Sequence, residues 1–399
     1  MSYTFHVPTK VLFGPGMLKK LHEEKLPGKK ALVVISNGKS VRANGYLAAL
    51  EAELDAAELD AAGAVHVLFD KIQANPLEPT VQEGVEFGRA QDVDFVVGLG
   101  GGSVMDAAKA IAAVIPQTDG GRVWDYMATG TSGHRPLAIP PLPYIAITTS
   151  AGTGSEVDGG AVITSPVTHE KGAFFTKCPD LAIVDPELML SVPPAFTAYQ
   201  GFDALFHNTE GYISKAANEM GNLVELEAIR LLGKWLPVAV ADGSNLEART
   251  HVAFANTLGG YSMESSTCTS EHAIEHALSG EHQDLPHGAG LIMISLAYYK
   301  TFIDRHDCDA KFVDMARALG KDGADKPEDF LNALAALQKA CGVDALKMSD
   351  WGIRKEELPS MPALARKALG PLFNLDPSEL SDADVLAILE ASWRQGAAR

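Results

Sequence analysis

The sequence predicts an α/β domain built on a parallel, doubly wound sheet, followed by an all-helical domain. Three observations carry that expectation. Short β-branched runs alternate with helical patterns through the first half of the chain. A nearly all-apolar run ends in three consecutive glycines that open a helix. Strand-like runs stop after Pro193-Pro194. Alternating β and α elements are the mark of a parallel sheet with helices on its faces.

VLFG at 11–14 and ALVVISN at 31–37 read as strands. Residues 44–62, rich in Ala, Leu and Glu, read as a helix that Gly63 ends. VHVLF at 65–69 is the next strand, ANPLEPT a loop and 80–91 a helix. VDFVVGLG at 93–100 is apolar almost throughout, as a strand covered on both faces must be. A Gly-rich turn then enters the helix of GGSVMDAAKAIAAVI, and YIAITTS at 144–150 and LAIVD at 181–185 complete the strands. From Thr197 onward only helical periodicities remain, as in EMGNLVELEAIRLLGKWL, EDFLNALAALQKAC and DADVLAILEASW. Proline interrupts helices and restricts its neighbour, so Pro193-Pro194 marks a boundary. The expected domains are residues 1–190, dinucleotide-binding α/β, and 191–399, helical. Ligands gather at the C-terminal ends of parallel strands and between domains, which directs the search for chemistry to a cleft at this junction.

The 399 residues are 46% hydrophobic and 21% charged, which excludes a disordered or fibrous chain. A net charge of −18 repels phosphate backbones and anionic headgroups, against nucleic-acid or membrane-surface binding. Cys178, Cys268, Cys308 and Cys341 are widely spread with no CxxC, which fits a reducing cytoplasm better than a disulfide scaffold. The N-terminal stretch lacks the basic and apolar regions of a signal peptide. Apolar runs such as 291–299 fall short of the about 20 residues a bilayer crossing needs. A cytoplasmic protein is expected.

Residues 98–109 read GLGGGSVMDAAK. At Gly100, Gly101 and Gly102 the backbone can approach a phosphate closely, and the following helix start offers N–H groups and partial positive charge. Ser103 can cap the helix or bond a phosphate oxygen. Asp106, an anion in the first turn, opposes a phosphate, so its partner should be an amide, a hydroxyl or a water. A β-branched side chain at Gly101 should fill the phosphate's space and disfavour a positive φ. Neither GxGxxG nor GxxxxGK[ST] is present. A second loop, TTSAGTGSEVDGG at 148–160, follows another strand and is dense in hydroxyls and glycines.

Asp203 and His207 stand at i, i+4 in GFDALFHNTE, and His272 and His276 at i, i+4 in a run that also holds His282 and His287. Spaced this way they share helix faces. One Asp with two or three imidazoles suits Fe²⁺, Zn²⁺ or a similar ion with a position open for substrate.

GGGSVMDAAK, TTSAGTGSEV, LAIVDPELMLSVPP, GFDALFH and the H-x3-H…PHG run occur in the order seen in the iron-containing (group III) alcohol dehydrogenases, which this chain resembles over residues ~5–300. The resemblance implies an NAD(P)-dependent alcohol dehydrogenase or aldehyde reductase with a Rossmann-like domain, a helical domain and one divalent metal, usually Fe²⁺ and sometimes Zn²⁺. It also implies a homodimer or larger assembly. It assigns metal ligation to Asp203, His207, His272 and His287, and places His276 in the cleft near the nicotinamide. The stretch between His276 and His287 is about a residue longer than the commonest pattern, so His287 rests on its PHG context. The implied cofactor contacts are Gly100, Gly101, Gly102, Ser103, Asp106, Thr148 and Thr149, with Lys171 matching the aldehyde-reductase branch. His276 is the candidate proton donor, being one helical turn from His272. The strand at 31–37 ends without the acid that commonly holds a ribose 2′-hydroxyl. Asn37, Gly38, Lys39 and Ser40 could accept a 2′-phosphate there, which leans the choice toward NADP. Asp158 stands where a hydroxyl residue is expected and either favours a polar substrate or is neutral. The alternatives are a glycerol or polyol dehydrogenase of the same superfamily, a dehydroquinate-synthase-like lyase that would need an arginine cluster these motifs lack, and a non-catalytic nucleotide-binding module.

Overall fold

Six parallel strands run in the order β1-β8-β5-β4-β2-β3, and two antiparallel ones, β6 and β7, stand apart from them. In chain order the strands are β1 (Lys10–Phe13), β2 (Lys30–Ser36), β3 (Val65–Ile72), β4 (Phe95–Gly100), β5 (Tyr144–Thr148), β6 (Gly160–Thr164), β7 (Lys171–Phe175) and β8 (Leu181–Val184). The structure, a computed structural model, describes residues 3–57 and 65–397. The expected helix at 44–62 is seen as Tyr46–Ala56, and Gly63 lies outside the described residues.

The six-stranded sheet alternates its side chains between two cores. Leu32, Val34, Val96, Tyr144 and Ala146 enter one, packed with the helices Glu78–Ala90 and Gly102–Val114. Ala31, Val33, Ile35, Phe95, Val97, Leu99, Ile145 and Ile147 enter the other, with Leu47, Leu50 and Leu54 of the helix Tyr46–Ala56. Period-two alternation with both faces apolar explains why these strands read as continuous apolar runs. Each fully buried Val, Leu or Ile contributes roughly 1.5–3 kcal/mol. From β2 the chain moves outward to β3, then returns to β4 on the other side of β2 and continues to β5. The strand order therefore reverses between β2 and β4, and the turns leaving those two strands flank the switch point, where doubly wound sheets bind their ligands.

By its internal contacts the chain divides into two units: Val7–Ser150 with Ser155–Ser191, and Val192–Arg399 with Met1–His6 and Ala151–Gly154. Among the described residues no strand follows β8. The second unit is built on the helices Pro194–Ile213, Glu219–Ala241, Leu246–Ser265, Ser270–Glu281 and His287–Arg305, with shorter ones after them. Pro194 occupies the first turn of its helix, where its missing N–H costs nothing. Asn218 and Asn245 cap the next two, accepting from Gly221 N and Ala248 N at 3.0 Å each. Phe206, Tyr299, Phe312 and Phe330 form an aromatic core. Among the described residues no helix is long and apolar enough to cross a membrane.

The β6–β7 hairpin was not expected. Its strands, GAVIT and KGAFF, are short and follow a stretch dense in glycine and hydroxyls that reads as one solvated loop.

Candidate active site

The glycine turn leaves β4 at the switch point. Gly100 ends the strand, Gly101 precedes the helix with φ −84°, and the helix begins at Gly102. Positive φ is therefore not what glycine supplies at Gly101, contrary to expectation. Space is: a Cβ there would lie 3.1 Å from Ser150 Oγ, and one at Gly100 would lie 2.6 Å from Val104 Cγ2. Thr149 N donates to Gly100 O at 2.9 Å, tying the ends of β4 and β5 together. The Thr148 hydroxyl is buried and donates to Ser150 O at 2.8 Å, closing its own loop. Asn37, Gly38, Lys39 and Ser40 form the exposed turn leaving β2, on the other side of the switch point.

Asp106 faces protein donors. Its Oδ1 accepts from Ser155 Oγ at 2.8 Å and its Oδ2 from Val162 N at 2.9 Å, the hydroxyl and amide partners its charge called for. Lys109, one turn along the same helix from Asp106, is buried and donates to Ser155 Oγ, Asp158 Oδ1 and Gly160 O at 2.8, 2.6 and 2.6 Å. Asp158 is thus half of a buried ion pair that pins the loop before β6 to the glycine-turn helix. Lys171 begins β7 and is buried. Lys177 pairs with Asp180 at the surface.

The second constellation lies in the helical unit. The helix Pro194–Ile213 presents Asp203 and His207, Ser270–Glu281 presents His272 and His276, and His287 opens His287–Arg305. Asp203 Oδ1 lies 3.8 Å from His207 Nε2 and 3.5 Å from each of His272 Nε2 and His287 Nε2. Asp203, His207 and His272 are buried and His287 is half-buried. The other nitrogen of each ring faces an acceptor. His207 Nδ1 donates to Gly152 O at 3.2 Å, His272 Nδ1 to Glu210 Oε1 and His287 Nδ1 to Glu275 Oε2.

Carbonyl and carboxylate oxygens only accept, so each Nδ1 carries a proton, and a ring with no second proton turns an Nε2 lone pair toward Asp203 Oδ1. In that state four electron-rich atoms converge without a hydrogen between them. Asp203 Oδ1 and His272 Nε2 are indeed buried without a hydrogen-bond partner. Unpaired buried acceptors are costly, and a cation removes the cost. Burial opposes ionisation of Asp203, but the imidazoles around it hold its carboxyl below the ordinary carboxylate range. Burial pulls His207 down to about 4, whereas at His272 the surrounding Cys268, Glu210 and Asp203 outweigh burial and hold the imidazole well above its ordinary range. A carboxylate and three imidazoles are a donor set that fits a first-row divalent ion.

Sequence reasoning missed Glu210 and Glu275, which orient the rings. A carboxylate that accepts from the distal ring N–H is the usual companion of a metal-bound histidine. The available signal was spacing: Glu210 follows His207 by three residues and Glu275 follows His272 by three. Gly152 and Gly154 were read only as loop. Gly154 has φ +65°, and a Cβ there would lie 2.4 Å from Gly260 N, so only glycine fits. His276 lies beside the constellation, its ring centroid 5.2 Å from that of His287. His282, the surplus histidine, points elsewhere and bonds Glu357 at 2.9 Å.

Residues 8–186 match the family described as iron-containing alcohol dehydrogenase, and residues 197–393 match the C-terminal part of the Fe-containing alcohol dehydrogenase family. The chain is 34% identical to a 1,3-propanediol dehydrogenase of Citrobacter freundii, over 92% of this chain and 94% of that one. It is 35% identical to an NAD-dependent methanol dehydrogenase of Bacillus methanolicus, over 71% and 72% of the two chains. The crystal structure of an archaeal halo-thermophilic alcohol dehydrogenase from a Red Sea brine pool superposes with a TM-score of 0.92 at 32% identity, covering 98% of this chain and 99% of that one. Two family matches spanning both units, together with a parallel sheet bearing a glycine turn and a helical unit bearing converged Asp and His donors, make this chain a member of the iron-containing alcohol dehydrogenase family, oxidoreductases that act on CH–OH groups.

Proposed function

We propose that this enzyme interconverts a small primary alcohol and its aldehyde with NAD(P), and that Asp203, His207, His272 and His287 hold one divalent ion, Fe²⁺ ahead of Zn²⁺. The observation that carries the reading is the convergence of Asp203 Oδ1 with three imidazole Nε2 atoms whose opposite nitrogens are all bonded to acceptors. Relatives named for 1,3-propanediol and methanol support a small alcohol as substrate. A bound ion supplies Lewis acidity to the substrate oxygen, and the nicotinamide supplies or takes hydride.

The rest falls to this chain's own residues. Glu210 and Glu275 fix the orientation of His272 and His287. The turn of Gly100, Gly101, Gly102 and Ser103 receives the pyrophosphate, and Asp106, Thr148 and Thr149 shape that turn. Lys171, buried at the start of β7, contacts the cofactor. A ring nitrogen of His276 delivers or accepts the proton at the substrate oxygen. Asn37, Gly38, Lys39 and Ser40 meet the adenosine ribose, and the absence of an acid among them favours NADP. We read residues 1–190 as the dinucleotide-binding domain and 191–399 as the helical one, although Ala151–Gly154 group with the helical unit, and the chain as a homodimer or larger homo-oligomer in the cytoplasm. Asp158 pairs with Lys109, so its charge is spent within the protein and does not by itself favour a polyol substrate.

The test is oxidation of NADH and NADPH with a panel of aldehydes, anaerobically, alongside metal analysis. We expect aldehyde-dependent cofactor oxidation that Asp203→Ala and His272→Ala abolish while staying folded and losing metal. No oxidation with any aldehyde, or full activity and metal content in either variant, overturns the reading.

A further inference from the structure

The Asp203 donor set has a soft neighbour. Cys268 lies just before the helix Ser270–Glu281, buried, and the donor atoms of His207, Cys268 and His272 lie within 4.8 Å of one another. The Cys268 thiol donates to the Met263 thioether at 3.2 Å, so a second sulfur adjoins the first. His272 Nε2, buried and without a hydrogen-bond partner, is available to either set. Among the described residues the donor atoms fall into three groups: Asp203, His272 and His287; Glu275, His276 and His287; and one that includes sulfur, Cys268, His207 and His272.

We propose that Cys268, His207 and His272 form a second, thiophilic metal site that shares two imidazoles with the Asp203 site and therefore competes with it. The inference rests on reading His207 and His272 as ligands. Thiolate donors select soft ions such as Zn²⁺, Cd²⁺ or Cu⁺, whereas carboxylate suits Fe²⁺ better. When a soft ion binds, the Cys268 S–H bond breaks, the proton leaves to solvent and the sulfur lone pair forms the bond to the ion. Metal–sulfur and metal–nitrogen bonds of about 2.3 and 2.0 Å place tetrahedral donors about 3.5 Å apart, so the ion draws the three inward by up to about an ångström. An ion held this way would draw His207 and His272 away from the Asp203 site. The geometry makes the enzyme an iron enzyme that thiophilic ions inhibit through one cysteine.

The experiment is anaerobic titration of the metal-free full-length chain with Cd²⁺, reading the ultraviolet thiolate-to-cadmium absorption. We expect a band that saturates at one equivalent in the wild type, is lost in Cys268→Ala and in Cys268→Ser, and is retained in Cys341→Ala. A band that survives in both Cys268 variants overturns the proposal. So does uptake of Cd²⁺ by the wild type with no band. Fe²⁺ stoichiometry in the same preparations separates the two readings. If Fe²⁺ binds in the wild type and is lost in Asp203→Ala while the Cd²⁺ band is absent, only the soft site fails. If neither ion binds, both fail.

Discussion

Replacing Glu210 with glutamine changes one atom type and should weaken metal binding far more than its size implies. Glu210 is fully buried, and both oxygens are used. Oε1 accepts from His272 Nδ1, while Oε2 accepts from Thr269 N at 2.8 Å and Thr269 Oγ1 at 2.9 Å. An amide has one accepting oxygen. If it stays on His272, the new NH₂ faces the Thr269 N–H, donor against donor, and a buried backbone amide loses its partner at about 1–3 kcal/mol. If the amide flips, the NH₂ faces His272 Nδ1, the ring proton must move to Nε2, and the lone pair aimed at Asp203 disappears. Either way the site is worse. Substitutions of such orienting carboxylates cost roughly ten- to a hundredfold in metal affinity, equivalent to about 1.4–2.7 kcal/mol. Chelator competition for Fe²⁺ or Co²⁺ under argon measures it directly. An affinity within twofold of wild type, in a Glu210→Gln protein with a native circular dichroism spectrum, would refute the argument that Glu210 orients His272.

Lys109→Met should destabilise the α/β unit by about 3–5 kcal/mol, because it leaves the buried Asp158 carboxylate without its cation, and Lys109→Met with Asp158→Leu should recover most of that in urea unfolding. A single variant as stable as wild type would mean the pair is solvated. Lys39→Ala should weaken NADPH binding roughly five- to thirtyfold and leave NADH nearly unchanged, the gap shrinking at high salt; equal weakening would show that Lys39 does not read the 2′ position. Glu225 is buried, and burial pushes its carboxyl up to about 7 from 4.5. The folded state therefore holds its proton longer than the unfolded one, and stability falls as pH rises from about 4.5 through 7, on the order of 3 kcal/mol in all. Glu225→Gln keeps an acceptor for the Ser262 hydroxyl and should flatten that slope; an unchanged pH profile of urea midpoints would count against it.

Much of this was legible in the residues. Parallel strands buried on both faces announce themselves as apolar runs, so β2, β4, β5 and β8 could be read locally. Three glycines between a buried strand and a helix have few other uses, and Asp203/His207 and His272/His276 carry their shared faces in their spacing. What stayed hidden depends on distant pairing. Lys109 meets Asp158 across 49 residues of chain, so a charged position on the glycine-turn helix gave no sign of being interior. Glu275 looked like one more polar residue beside His276 until the fold brought His287 Nδ1 to it. Ala151–Gly154 follow β5 in sequence but pack with the helical unit, where Gly152 O receives His207. Cys268 could be counted but not located, since its significance lies in two histidines that approach from different helices.

The central claim is that Asp203, His207, His272 and His287 surround one ion. X-ray absorption at the metal edge of anaerobically purified enzyme tests it most directly, because scattering from imidazole rings is distinct from that of carboxylate or water. The account predicts one ion per chain with three imidazole ligands and an oxygen neighbour, and the loss of one imidazole in His272→Ala. An ion with no imidazole scattering, or a fully active enzyme with no bound ion, would contradict it.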